Sequence, residues 1–156
     1  MNKYRALVSG IGLTLVAVMA IAQQSMMNGK DMMGMMNMSM ARHRYVMRNG
    51  VPSDYSSSKN PLSATEGRLR DGRMLYEANC STCHGATGQG DGPAGTNLNP
   101  RPSNLARFIR MPMATDPYLF WTISEGGTPI QSAMPPFKTA LSEKEVWEII
   151  GYLRSM

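Results

Sequence analysis

The sequence predicts an all-α domain of three to five short helices joined by long loops, and three observations carry that prediction. Val146, Ile149, Ile150 and Leu153 recur at helical spacing behind a Ser142/Glu145 capping box. No stretch alternates apolar and polar residues as a strand does. Gly85, Gly88, Gly90, Gly92, Pro93 and Gly95 crowd one stretch. So many glycines make either a helix or a strand costly, which leaves that stretch as loop.

Residues 1–22 have the form of an export signal. Lys3 and Arg5 precede an uncharged apolar run from Ala6, which ends in the small-x-small pattern Ala20-Ile21-Ala22. The alternative is an uncleaved membrane anchor over residues 6–22. Residues 23–62 are expected to be a flexible, Met-rich segment followed by a linker. Met26, Met27, Met32, Met33, Met35, Met36, Met38 and Met40 lie among Gly, Asn and Ser. From Ala41 to Pro61 the chain shows little periodicity and reads as an irregular arm.

The organised domain spans residues 63–156. Ser63 and Glu66 have capping-box spacing, and the helix behind them places Leu69, Gly72 and Tyr76 on one face. Ser103 is the expected cap of a short helix through Leu105 and Ile109. Thr115 caps another, with Asp116 and Pro117 in its first turn and Gly126 beyond its end. The last helix carries Glu143 and Glu145 at its positive end and Arg154 at its negative end.

The net charge is +5, from 16 basic and 11 acidic residues that are scattered along the chain. No basic run interleaves with aromatic residues, which argues against a nucleic-acid partner. The chain has only two cysteines, both in Cys80-Ser81-Thr82-Cys83-His84. That is the attachment pattern of heme c. Two thiols at this spacing reach one edge of a porphyrin from a single turn, and the following imidazole lies under the iron. A disulfide between Cys80 and Cys83 would close a loop too tight to fix much. A thioredoxin-like pair would need a βαβ unit. A zinc site would need four ligands, and His84 adjoins Cys83 too closely to share a tetrahedral ion with both thiolates.

The iron has a sixth position. Met134 is the leading candidate for it, because Pro135 and Pro136 stiffen the loop that holds it before the last helix. Met111 and Met113 are rivals, and His43 is a more distant one. No catalytic carboxylate pair or nucleophile–base pair stands out.

From about Gly67 to Met156 the chain resembles a class I, monoheme bacterial cytochrome c. Gly72 and Tyr76, Cys80 to His84, Gly85, the Gly90-Asp91-Gly92-Pro93 loop, Met134-Pro135 and Tyr152-Leu153 carry the resemblance, in that order. It implies that the first and last helices cross with Gly72 at the contact, and that Tyr76 packs on Ile149 and Tyr152. It implies a backbone carbonyl accepting from the proximal histidine, assigned here to Pro102 with Pro100 as rival. Trp121 and Arg101 are expected at the heme propionates, and ordinary helix packing is the competing reading of Trp121.

The expected role is electron transfer in the periplasm by a single heme ligated by His84 and Met134, between a redox donor and an acceptor. The alternatives are a heme-bearing subunit of a larger, membrane-associated oxidoreductase, and a copper-handling protein. The Met-rich segment supplies the soft thioethers that suit Cu(I).

Overall fold

The computed structural model describes residues 41–156, so the export signal, the anchor reading and the Met-rich copper segment all fall outside the described residues. Within the described residues the fold is helical and contains no strand. Helix α1 covers residues 41–49. It is followed by α2 (Ser53–Ser56), α3 (Glu66–Asn79), α4 (Ser81–His84), α5 (Leu105–Phe108), α6 (Asp116–Glu125) and α7 (Glu143–Arg154). A 3-10 turn over Thr128–Ile130 lies in the loop after α6. No described helix is long and apolar enough to cross a membrane.

The core forms where α3, α6 and α7 meet. The apolar stripe of α7 is buried as its spacing requires: Val146, Ile149, Ile150 and Leu153 are all at most 5% exposed. Each such side chain contributes about 1.5–3 kcal/mol by leaving water. Trp147 joins them and stacks on Phe120 of α6, with ring centroids 4.4 Å apart. Gly72 lets α3 sit directly on α7. A Cβ there would stand 2.1 Å from the Glu148 carbonyl oxygen. Tyr76 is fully buried and its ring meets that of Tyr152 at 5.5 Å.

The capping chemistry is as expected at Thr115 and at the Ser142/Glu145 box. At two helices the cap shifts. Thr65, not Ser63, caps α3 by accepting from the Arg68 N–H. Asn104, not Ser103, caps α5 by accepting from the Arg107 N–H. Each true cap lies next to or near another good cap residue, so composition alone selects poorly between them.

Residues 41–62 differ from the expected arm. They are partly helical and pack on the domain. Val46, Val51, Tyr55 and Leu62 lie against the core. The Asn60 N–H donates to Asp116 at 2.7 Å and its side-chain amide to the Trp147 carbonyl at 3.3 Å. The Tyr55 hydroxyl donates to Glu125, which also pairs with Lys138. Those two hydrogen bonds hold the Glu125 carboxyl below its ordinary pKa.

Candidate heme site

Helix α3 delivers the motif. Its last turn ends at Cys80, whose N–H still donates to the Tyr76 carbonyl at 2.8 Å. The single turn of α4 follows. The Cys80 carbonyl accepts from both Cys83, at 3.2 Å, and His84, at 2.8 Å. One hydrogen-bonded turn therefore sets both sulfurs and the imidazole. Both cysteines are partly buried, and neither is in a disulfide. Burial first, and the nearby Cys83 second, push the Cys80 thiol up to about 12.

His84 is oriented from behind. Its Nδ1 lies 3.0 Å from the Ser103 carbonyl oxygen. A carbonyl only accepts, so Nδ1 carries the proton and Nε2 keeps the lone pair that can bind iron. Burial lowers the imidazole pKa, and the Ser103 hydrogen bond opposes it less strongly. Burial dominates and favours the neutral, ligating form. The acceptor is Ser103 and not Pro102, a displacement of one residue along the same loop. Pro102 lines the loop instead, its carbonyl oxygen 2.5 Å from where a Cβ on Gly90 would stand.

The glycine-rich loop wraps the motif through its backbone. Gly90, Gly92 and Ala94 donate to the carbonyls of His84, Cys83 and Thr82 at 2.8, 3.2 and 3.0 Å. A Cβ at Gly92 or Gly95 would come within 2.5 Å of a motif carbonyl oxygen. From the other side the Tyr76 hydroxyl donates to the Gly85 carbonyl at 2.7 Å, which ties the buried core to the residue after His84.

The methionine loop is held by the end of α6. Gly126 turns the chain at φ 62°, where a side chain would be strained and would also meet Pro135. Gly127 donates to the Met134 carbonyl at 2.7 Å, and Phe137 to the Ile123 carbonyl at 3.2 Å. Met111 and Met113 pack on the hydrophobic core, whereas Met134 is partly buried and lies outside that cluster. His43 is partly buried on α1.

These features fit a covalently held heme. The thiols share one turn, the imidazole has one nitrogen committed and one free, the loop leaves no room for side chains, and a thioether is left out of the core. The two expected propionate contacts fare differently. Arg101 is exposed. Trp121 is 1% exposed and stacked on Tyr45 of α1 at 5.6 Å. Among the described residues no group of three or more His, Cys, Asp or Glu side chains could hold a metal ion.

Sequence reasoning missed Ser103 and the Tyr76–Gly85 tie. Ser103 acts through its backbone, where residue type carries no signal. A buried tyrosine does carry one, since its hydroxyl needs a partner.

Fold and motif together define a c-type cytochrome domain. Residues 67–153 match the family described as Cytochrome C oxidase, cbb3-type, subunit III, and the chain belongs to that family. No curated protein matches the chain. Among solved structures it is similar to a chain of the Kuenenia stuttgartiensis reducing HAO-like protein complex Kustc0457/Kustc0458. The identity is 25%, the TM-score 0.53, and the match covers 61% of this chain and 46% of that one. The chain thus spans less than half the length of that neighbour.

Proposed function

We propose that this chain is an exported, single-heme electron carrier in which His84 and Met134 are the axial ligands. The observation that carries this reading is the pairing of a one-turn Cys80/Cys83 attachment with His84 fixed through Nδ1. When bound, heme supplies a one-electron iron couple. The residues around it hold, orient and shield. Cys80 and Cys83 anchor it, and Ser103 keeps the His84 ring in the tautomer that binds metal. Tyr76 and the glycine loop keep that turn from moving, so that little reorganisation accompanies a change of charge. Met134 would supply a thioether as the second protein ligand to the iron, which would raise the reduction potential.

Basic and acidic residues nearly balance from Gly67 onward, so partner choice rests on shape more than on long-range steering. A second reading, a heme-bearing subunit within a larger oxidoreductase, is favoured by the family described as an oxidase subunit and by a neighbour that belongs to a complex. In both readings electrons enter from one protein and leave to another.

The test is voltammetry of the purified protein alongside a peroxidase assay. A reversible one-electron wave with little peroxidase activity is expected. Robust turnover of a small substrate, with the sulfur-to-iron absorption band still present, would contradict the carrier reading.

A further inference from the structure

Residues 41–62 precede the stretch 67–153 that matches the family. Two of their side chains land on consecutive residues at the end of α6. Arg42, 7% exposed, donates from Nη2 to the Gly126 carbonyl at 2.6 Å. Its guanidinium carbon also stands 5.0 Å from the centroid of the Trp121 ring, on the same helix. Tyr55 donates its hydroxyl to the Glu125 carboxylate.

The loop that carries Met134 hangs on that same helix end. The Gly127 N–H donates to the Met134 carbonyl at 2.7 Å. The Phe137 and Lys138 N–H groups donate to the Ser124 carbonyl at 3.1 and 3.2 Å. Lys138 also reaches the Glu125 carboxylate through Nζ at 2.9 Å. Glu125 therefore joins the two segments, accepting from Tyr55 on one and Lys138 on the other. Gly126 joins them again. Arg42 holds its carbonyl, and a Cβ on it would stand 2.4 Å from the Pro135 carbonyl oxygen.

The last carbonyls of a helix have no partner within it and carry the negative end of its dipole. A loop hung on them alone frays with the helix end. The Lys138–Glu125 pair is half-exposed at Lys138, and such surface pairs are weak. The two contacts from residues 41–62 are charge-assisted, and one of them is buried. Tyr55 keeps its proton as a donor, because burial first and the Glu125 hydrogen bond second raise its pKa to about 12.

We propose that Arg42 and Tyr55 are positioning residues for Met134, and that residues 41–62 are a strap that holds the methionine loop closed. Both act at a distance, through Gly126 and Glu125. This rests on the reading of Met134 as an axial ligand. When the strap lets go, the end of α6 and the loop open together. The thioether then leaves the iron more often, and an external ligand can enter.

The test compares full-length holoprotein with Tyr55→Phe, Arg42→Met and, as a control, Asn60→Ala. The Asn60 amide ties the same segment to the Trp147 carbonyl on α7, and not to the end of α6. Two quantities are measured: cyanide affinity of the ferric protein, and native-state hydrogen exchange of the Gly127 N–H. Cyanide binds only the open form, so its apparent affinity scales with the open fraction. Tyr55→Phe and Arg42→Met should each tighten cyanide binding about tenfold, equivalent to about 1.4 kcal/mol of loop closure. Gly127 exchange should speed up alike. Asn60→Ala should lower the melting temperature and change neither quantity. Unchanged Gly127 exchange in both Tyr55→Phe and Arg42→Met would overturn the strap. So would an equal effect of Asn60→Ala, because the loosening would then be general. Faster Gly127 exchange with unchanged cyanide affinity would keep the strap and refute Met134 as ligand, so the two failures are distinguishable. If Arg42→Met takes up no heme, Tyr55→Phe, which keeps its ring, decides alone.

Discussion

Replacing the proposed ligand, Met134→Ala, is expected to abolish the weak far-red sulfur-to-iron band and to open the iron to carbon monoxide and cyanide. The reduction potential falls by more than about 59 mV, a tenfold step for one electron, because a thioether favours ferrous iron more than water does. Peroxidase activity rises, since the sixth position becomes exchangeable. The reason lies in where the methionines sit. Met111 and Met113 are partly buried against the core, while Met134 stands outside that cluster on a turn fixed by Gly126 and Gly127. Met111→Ala and Met113→Ala should keep the band and instead cost roughly 1–2 kcal/mol of stability, below the range for fully buried methionine. Loss of the band in either of those variants, with Met134→Ala unaffected, would reassign the ligand. Optical spectra and ligand titration of the three variants decide it.

Gly72→Ala destabilises the protein although it replaces glycine inside a helix. At an open helical site that change gains about 0.5–1 kcal/mol. Gly151, in α7, is such a site, because a Cβ there meets nothing within 4 Å. At Gly72 the Cβ would stand 2.1 Å from the Glu148 carbonyl oxygen and 3.0 Å from the Tyr152 Cβ. The obstacle is backbone of the helix that holds the core, so it cannot swing aside. Overpacking of this kind costs about 1–3 kcal/mol, and Gly72→Val more. Because α3 also ends in the heme motif, heme incorporation should fall with stability. Thermal melts of Gly72→Ala and Gly151→Ala should therefore move in opposite directions. A neutral or stabilising Gly72→Ala would contradict the close helix contact.

What could be read from the sequence was what is encoded locally. The last helix is specified by its capping box and apolar stripe, and the Cys80–His84 turn by covalent spacing. Helix α6 is bracketed by Thr115, Pro117 and Gly126. Its partner in packing was less legible, since nothing local pairs Phe120 with Trp147. Residues 41–62 read as an arm because their attachments are scattered single contacts. Val46, Val51, Tyr55 and Leu62 pack against the core without forming a stripe at helical spacing. Arg42 and Asn60 reach backbone carbonyls some 80 residues away, at separations of 84 and 87. No periodicity records such contacts. The proximal acceptor was misplaced by one residue because a carbonyl is present at every position, and only the path of the loop selects Ser103. Trp121 suits both a propionate and packing, and its stacking on Tyr45 of α1 leaves no trace in the local pattern.

The central claim is that Cys80 and Cys83 carry one heme through thioether bonds. Mass spectrometry of the peptide spanning Cys80 to His84, taken from denatured protein after acid–acetone extraction, tests it most directly. The expected result is a peptide that retains the mass of one heme, with no unmodified thiol. Heme recovered in the extract, with both cysteines free or disulfide-bonded, would contradict it.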